Sequence, residues 1–396
     1  MRFKVEMSET RTRTASAIRP VDIQDAVAGI FAEDMHAMRV MSLGNAVVGA
    51  IHGVALTVHA IGQGLSMAAG LQGKSTIKQV DRLLSNKSLD LWSEVFPAWV
   101  AFVVSERKEV VVALDWTEFD ADGHATIALH MVTSHGRATP LMWKTHEKSK
   151  LKKHRNTYED LLVKRFREIL PADVRAIVLA DRGFGDQAFY DALGGANLDF
   201  AIRFRGNIRV ESAEGESRTA AEWVPKNGQA RKLESARVTG DRTEVAAVVC
   251  MKARGMKDAW CIASSLSDRT AAEIVALYRK RFTIEENFRD TKDLRFGMGL
   301  SSTHIGRCDR RDRMLLIGAL AQALLTLLGA AAEDCGLDRT MKANTVKRRS
   351  YSLFRQGCFF YACIPAMKED RLVTLMRSFR RIVAEHAVFR QIFALI

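Results

Sequence analysis

Four polar residues in the stretch 278–292, YRKRFTIEENFRDTK, are spaced so that they could act together. With Tyr278 at 0° on a helix, Arg281 falls at about −60°, Glu285 at about −20° and Lys292 at about −40°. A phenol, a guanidinium, a carboxylate and an ammonium then share an arc of about 60°. That arc lies on the side that also carries Ile274 and Phe282. The same count sends Lys280, Asn287 and Asp290 to the solvated side. An Arg281–Glu285 ion pair would account for two of the four, at about 0.2–0.5 kcal/mol on an exposed helix. It leaves Tyr278 and Lys292 unexplained, whereas a carboxylate flanked by cations and a phenol suits a site that handles metal ions and phosphate. Glu285 is the acid in phase; Glu286 points about 100° away.

Two further acids close apolar runs, Asp115 in VVVALD and Asp181 in AIVLAD. Either alone could be a turn residue after a strand. Open α/β sheets, however, place their chemistry at the carboxyl ends of strands. Two carboxylates brought together there repel unless they share a proton or a metal. Hard oxygen donors suit Mg²⁺ or Mn²⁺, which also bind substrate phosphate.

The elements that must position these residues can be read from texture. EVVVALDWTEF is a β-branched run expected of a strand buried on both faces. ATIALHMVTSH alternates and can pair beside it. A basic stretch and the helical NTYEDLLVKRFREIL follow, then a second buried strand, VRAIVLAD. Strand, strand, helix, strand describes a mixed α/β sheet. Residues 200–266 read as a β-rich insertion of short segments and turns. Before residue 106 and after residue 300 the chain reads as helical. KSTIKQVDRLLSNKSL has Ser75 or Thr76 as its cap, an apolar face of Ile77, Val80, Leu83 and Leu84, and an outer face of Lys74, Lys78 and Arg82. That face suits a helical DNA-binding unit.

The net charge of +13 over 396 residues points to an anionic partner, nucleic acid first. Basic runs at Lys144–Arg155, Arg307–Arg313 and Lys342–Arg349 are candidate phosphate contacts. The six cysteines show no zinc spacing, and the opening MRFKVEMSETRTRT has no apolar signal-peptide core. The apolar stretch Met314–Ala332 is expected to be a buried core helix rather than a membrane span, so no membrane partner is expected. A cytoplasmic, nucleoid-associated protein fits these features.

Tyr-x2-Arg-x3-Glu-x6-Lys, met by Tyr278, Arg281, Glu285 and Lys292, resembles the signature of the insertion sequence four family of bacterial DDE transposases. IKQVDRLLSN, VALDW, SHGRATPL, IVLADRGF, GMGL, RMLLIGAL and KANTVKRR resemble in order its insertion sequence ten branch, over about residues 70–360. The resemblance implies a ribonuclease-H-like catalytic core at 107–300, with the β-rich insertion at 200–266. A helical end-binding domain at 1–106 would precede the core. A helical region at 301–396, with dimer and DNA contacts, would follow it. It further implies that Asp115, Asp181 and Glu285 are catalytic and hold two Mg²⁺ ions, which Mn²⁺ can replace. Tyr278, Arg281 and Lys292 would contact transposon-end DNA, and Trp260 would stack on a flipped-out base. The implied partners are the element's terminal inverted repeats and target DNA, gripped by a homodimer. The implied activity is cut-and-paste transposition through hairpin intermediates. The alternative is a decayed or domesticated transposase that binds DNA without cutting it.

Overall fold

The computed structural model describes residues 18–384; the charged opening segment and the last residues of the basic tail lie outside them. Four helices come first: α1 (Pro20–Phe31), α2 (Ala37–Gly53), α3 (Val58–Ala69) and α4 (Gly73–Ser85). A single π-helical turn leads into α5 (Phe96–Val104). Helix α4 begins at Gly73, ahead of the predicted cap; Thr76 is buried inside it and its hydroxyl donates back to the Gly73 carbonyl. Val80, Leu83 and Leu84 are buried, and Lys74, Lys78 and Arg82 are exposed as expected.

The central layer is a ten-stranded mixed sheet in the order β3-β2-β1-β4-β5-β10-β9-β8-β6-β7. Its first half comprises β1 (Glu109–Phe119), β2 (His124–Met131), β3 (Thr139–Glu147), β4 (Arg175–Ala180) and β5 (Asp199–Phe204). Strand β1 is antiparallel to β2 and parallel to β4, and β4 is parallel to β5. The parallel crossovers carry helices α6 (Arg155–Ile169) and α7 (Gln187–Gly195), as parallel pairs require. This is the ribonuclease-H-like mixed α/β arrangement the sequence predicts. Strand β3 is an addition: its segment reads as part of a basic stretch, yet Leu141, Met142, Trp143 and Thr145 are buried while Lys144 faces out.

The remaining strands are β6 (Arg209–Glu211), β7 (Ser217–Thr219), β8 (Arg231–Val238), β9 (Thr243–Met251) and β10 (Trp260–Ser264). They extend the same sheet, with β10 pairing antiparallel to β5. Then come α8 (Ala271–Arg279), a 3-10 turn at Lys280–Phe282 and α9 (Thr283–Lys292). The chain closes with α10 (Cys308–Asp334), α11 (Leu353–Cys363) and α12 (Glu369–Ala384).

Apolar layers cover both faces of the sheet. Val110, Val112 and Leu114 of β1 face the larger core, shared with the N-terminal helices and α10. Val111 and Ala113 face the smaller one, shared with Ile274, Val275, Tyr278 and Ile284. Helix α10 is long and apolar enough to cross a membrane, but 78% of its apolar window is buried inside the protein. It is a core helix, and it meets α11 closely: a Cβ on Gly329 would strike the Leu353 carbonyl, and one on Gly357 the Leu325 carbonyl.

Candidate active site

Strand parity places the two aspartates. Side chains two apart share a face, so Asp115 follows Val111 and Ala113, and Asp181 follows Ile177 and Leu179, onto the α8–α9 side. The parallel register pairs Leu114 with Ala180, which makes Asp115 and Asp181 neighbours at the ends of that ladder. Asp181 is the first residue after β4, and its Oδ1 accepts the Gly183 N–H at 2.7 Å. Asp115 Oδ1 accepts its neighbour's N–H, from Trp116, at 2.8 Å.

The third acid arrives on α9. Arg281, in the 3-10 turn, donates from Nη1 to Asp115 Oδ2 at 3.2 Å and from Nη2 to Glu285 Oε1 at 2.5 Å. Its side chain is buried, whereas that of Glu285 is half exposed. Burial pushes the Asp115 carboxyl up to about 6; Arg281 opposes the rise, and the charges of Asp181 and Glu285 add to it. Two acids thus share one guanidinium, and the third, Asp181, bears on Asp115 directly. Burial disfavours the Arg281 charge, but Tyr278, Asp115 and Glu285 outweigh it and hold its pKa above the ordinary value.

The predicted stripe divides into three contacts. Tyr278 is buried, and its hydroxyl is pushed up to about 12, by burial first, against the opposing charges of Arg281 and Arg203. Its ring meets Trp260 edge-on at 5.1 Å, and Trp260 stacks at 6.1 Å with the exposed Phe282. Lys292 does not reach the acids: its Nζ donates to Thr117 Oγ1 at 3.1 Å and to the Glu118 carbonyl at 2.6 Å, further along β1. The structure therefore brings Asp115, Asp181, Arg281, Glu285, Tyr278 and Trp260 together, with Lys292 at the rim.

The expected solvated side of this segment is a correction. Asn287 and Asp290 are buried, and Phe282 is 41% exposed. The 3-10 turn breaks the 100° count, and α10 covers the far side of α9. Asn287 donates to Gln322 at 3.0 Å, Gln322 donates to Thr291 at 2.8 Å, and Arg137 donates to Asp290 at 2.7 Å. Arg137 also pairs with Glu286 at 3.3 Å, beside the candidate acid. Neither Arg137 nor Arg203 is singled out in the sequence; Arg203 shares the parity of Ala201, which is the signal that could have found it. The basic run Arg307–Arg313 is a second correction, because Arg311 and Arg313 are buried in internal pairs. At Lys144–Arg155, Lys152 and Lys153 remain exposed.

Among the described residues no three ligating side chains are gathered tightly enough to cage a metal ion; Arg281 stands between two of the acids. The donor set itself, three hard carboxylates, is the type that takes Mg²⁺ or Mn²⁺. Residues 106–322, more than half of the chain, match the family model described as a transposase DDE domain. No curated protein matches the chain.

Proposed function

The chain belongs to the transposase DDE domain family, and on that premise we propose that it is a metal-dependent cut-and-paste transposase of the insertion sequence four type, akin to the insertion sequence ten branch. The observation that carries the reading is that Asp115 and Asp181 lie side by side at the ends of paired strands while Arg281 joins Asp115 to Glu285 of α9. These three acids would hold two divalent ions. Such ions, when bound, lower the pKa of an attacking water and stabilise the departing 3′-oxygen.

The chain's own residues do the rest. Arg281 screens Asp115 from Glu285 and can donate to a phosphate oxygen brought between them. Tyr278 stays protonated at neutral pH and can donate alongside. Trp260, Tyr278 and Phe282 form an aromatic shelf beside the acids, suited to hold a base turned out of the helix as a hairpin forms. Lys292 lies at the rim, where an ammonium meets the backbone of incoming DNA. Residues 1–106 would bind the element's ends through α4, residues 107–300 would cut, and residues 301–396 would support the dimer that holds two ends together.

The test is incubation of the full chain with linear DNA carrying the inverted repeats that flank its gene, with and without Mg²⁺. Nicked ends, hairpins and strand-transfer products are expected, together with Mg²⁺-dependent thermal stabilisation that is lost in Asp115→Asn. Undiminished binding without nicking under Mg²⁺ or Mn²⁺ would leave a non-catalytic DNA-binding protein instead.

A further inference from the structure

The loop after α9, Asp293–Gly297, presents two of the most exposed large apolar side chains in the described residues, Leu294 at 76% and Phe296 at 55%. It cannot fold them away, because the loop is held stiffly. Asp293 Oδ1 accepts the N–H groups of Arg295 at 2.8 Å and Phe296 at 2.6 Å. The Asp293 carbonyl accepts those of Gly297 at 3.1 Å and Gly299 at 3.0 Å, and the Asp290 carbonyl accepts that of Met298 at 2.8 Å. Gly297 has no room for a Cβ, which would run into the carbonyls of Arg289 and Asp290. Exposed leucine and phenylalanine on a rigid knuckle are preorganised to be covered by something.

Position and charge identify the occupant. The root of the knuckle is Lys292, bonded to β1 at Glu118, three residues or about 10 Å along the strand from Asp115. Its far side is tied to the N-terminal helices: Leu56 N–H donates to the Met298 carbonyl at 2.9 Å, and Thr303 donates to the Leu56 carbonyl at 3.0 Å. The knuckle thus links the acids to the region that carries the basic outer face of α4. Between its two apolar residues stands the exposed Arg295, whose guanidinium lies over the Phe296 ring at 5.6 Å. An apolar pair with one cation between its members and another at its root fits neither a continuous apolar protein interface nor a lipid surface as well as it fits a duplex, where apolar wedges unstack a base step and cations meet the flanking phosphates.

We infer that Leu294, Arg295 and Phe296 form a wedge that enters the duplex of the element's own end at a base step beside the cut, with Arg295 on the phosphate; this rests on the transposase reading above. The wedge opens the stack so that the scissile phosphate can reach the acids. The experiment uses a duplex of the inverted repeat flanking the gene, with 2-aminopurine placed at successive steps around the cut, held uncut by Glu285→Gln. A fluorescence rise at one step is expected, lost when Phe296→Ala is added and reduced by Leu294→Ala. Phe296→Ala alone should nick the intact end about 10-fold more slowly and recover most of the loss when that step carries a mismatch, which is already unstacked. Its melting temperature should match that of the parent, since the side chain is exposed.

Equal fluorescence with and without Phe296 overturns the wedge and leaves the transposase reading intact. A rise confined to random target duplex overturns its assignment to the element's end. A parent protein that neither binds nor nicks the end duplex overturns both.

Discussion

Two aspartate–arginine pairs flank the same β1–β2 hairpin and are in opposite electrostatic states. At the hairpin's tip, Asp122 pairs with Arg311; the two side chains are 3% and 0% exposed. Asp122 also accepts the Ile305 N–H at 3.2 Å and contacts His304, while Arg311 donates to His124 at 3.2 Å and lies over Phe119. Burial works against the Asp122 charge, yet the Ile305 N–H, Arg311 and His304 outweigh it and hold its pKa below the ordinary value. Halfway along β1, Asp115 also touches a buried arginine, and its pKa is pushed up instead. One aspartate has partners that hold its charge; the other shares its arginine with Glu285 and faces Asp181. A charge-balanced pair builds a fold, whereas an excess of acid is costly without a cation and is the state expected of a site that binds one.

The sharpest way to break this contrast is to neutralise acids at both places. Asp115→Asn, Asp181→Asn and Glu285→Gln should each lower end cleavage by at least about 10²-fold while leaving the circular dichroism spectrum unchanged. Asp122→Asn should act on stability, since it leaves Arg311 as an uncompensated buried charge at a cost of about 3–5 kcal/mol. Urea denaturation should report a lower midpoint with an unchanged slope. If Asp122→Asn melts like the parent, the tip pair does not stabilise the fold.

A third pair lies between the extremes. Arg137 holds Asp290 of α9 from the far side, and burial still keeps that carboxyl above its ordinary value. Arg137→Ala should cost about 1–3 kcal/mol and slow cleavage about 10-fold, because α9 carries Glu285. Arg137→Lys should recover part of both, as it keeps the charge but loses the second donor to Glu286. Lost stability with cleavage unchanged in Arg137→Ala would mean that Arg137 supports the fold alone.

What the sequence shows of this arrangement depends on how local the causes are. Asp115 and Asp181 are legible because a β-branched run and period-2 parity act within a few residues. Glu285 is legible through its i,i+4 spacing to Arg281, which the ion pair keeps, whereas Lys292 leaves the expected stripe for β1. The burial of Asn287 and Asp290 is not, because their partners Gln322 and Arg137 lie 35 and 153 residues away. Arg311 reads as part of a surface run for the same reason: the aspartate that draws it inside is 189 residues distant. Strand β3 is hidden by Lys144, which only the pairing with β2 turns outward.

The smallest effect is the one that separates the two aspartates by sign. Burial pushes the Asp115 carboxyl from its ordinary 3.8 up to about 6, so the folded state holds that proton more tightly than the unfolded chain does. The metal-free protein should therefore lose stability as pH rises from about 4 to about 6, with the full cost present above that window. At 1.36 kcal/mol per pKa unit the cost is at most about 3 kcal/mol. Asp115→Asn removes it, and Arg281 keeps Glu285 as a partner, so in EDTA at pH 7 this inactive variant should melt above the parent. The gain should shrink as pH falls toward 4. The folded pKa of Asp122 is lowered, so its contribution is present above 3.8 and is lost only as pH falls through the lowered value. The penalty of Asp122→Asn should then stay level between pH 5 and pH 7, over which the Asp115→Asn gain changes. Thermal melts of both variants across that range measure the two slopes, and parallel slopes would mean that the acids around Arg281 are not electrostatically strained.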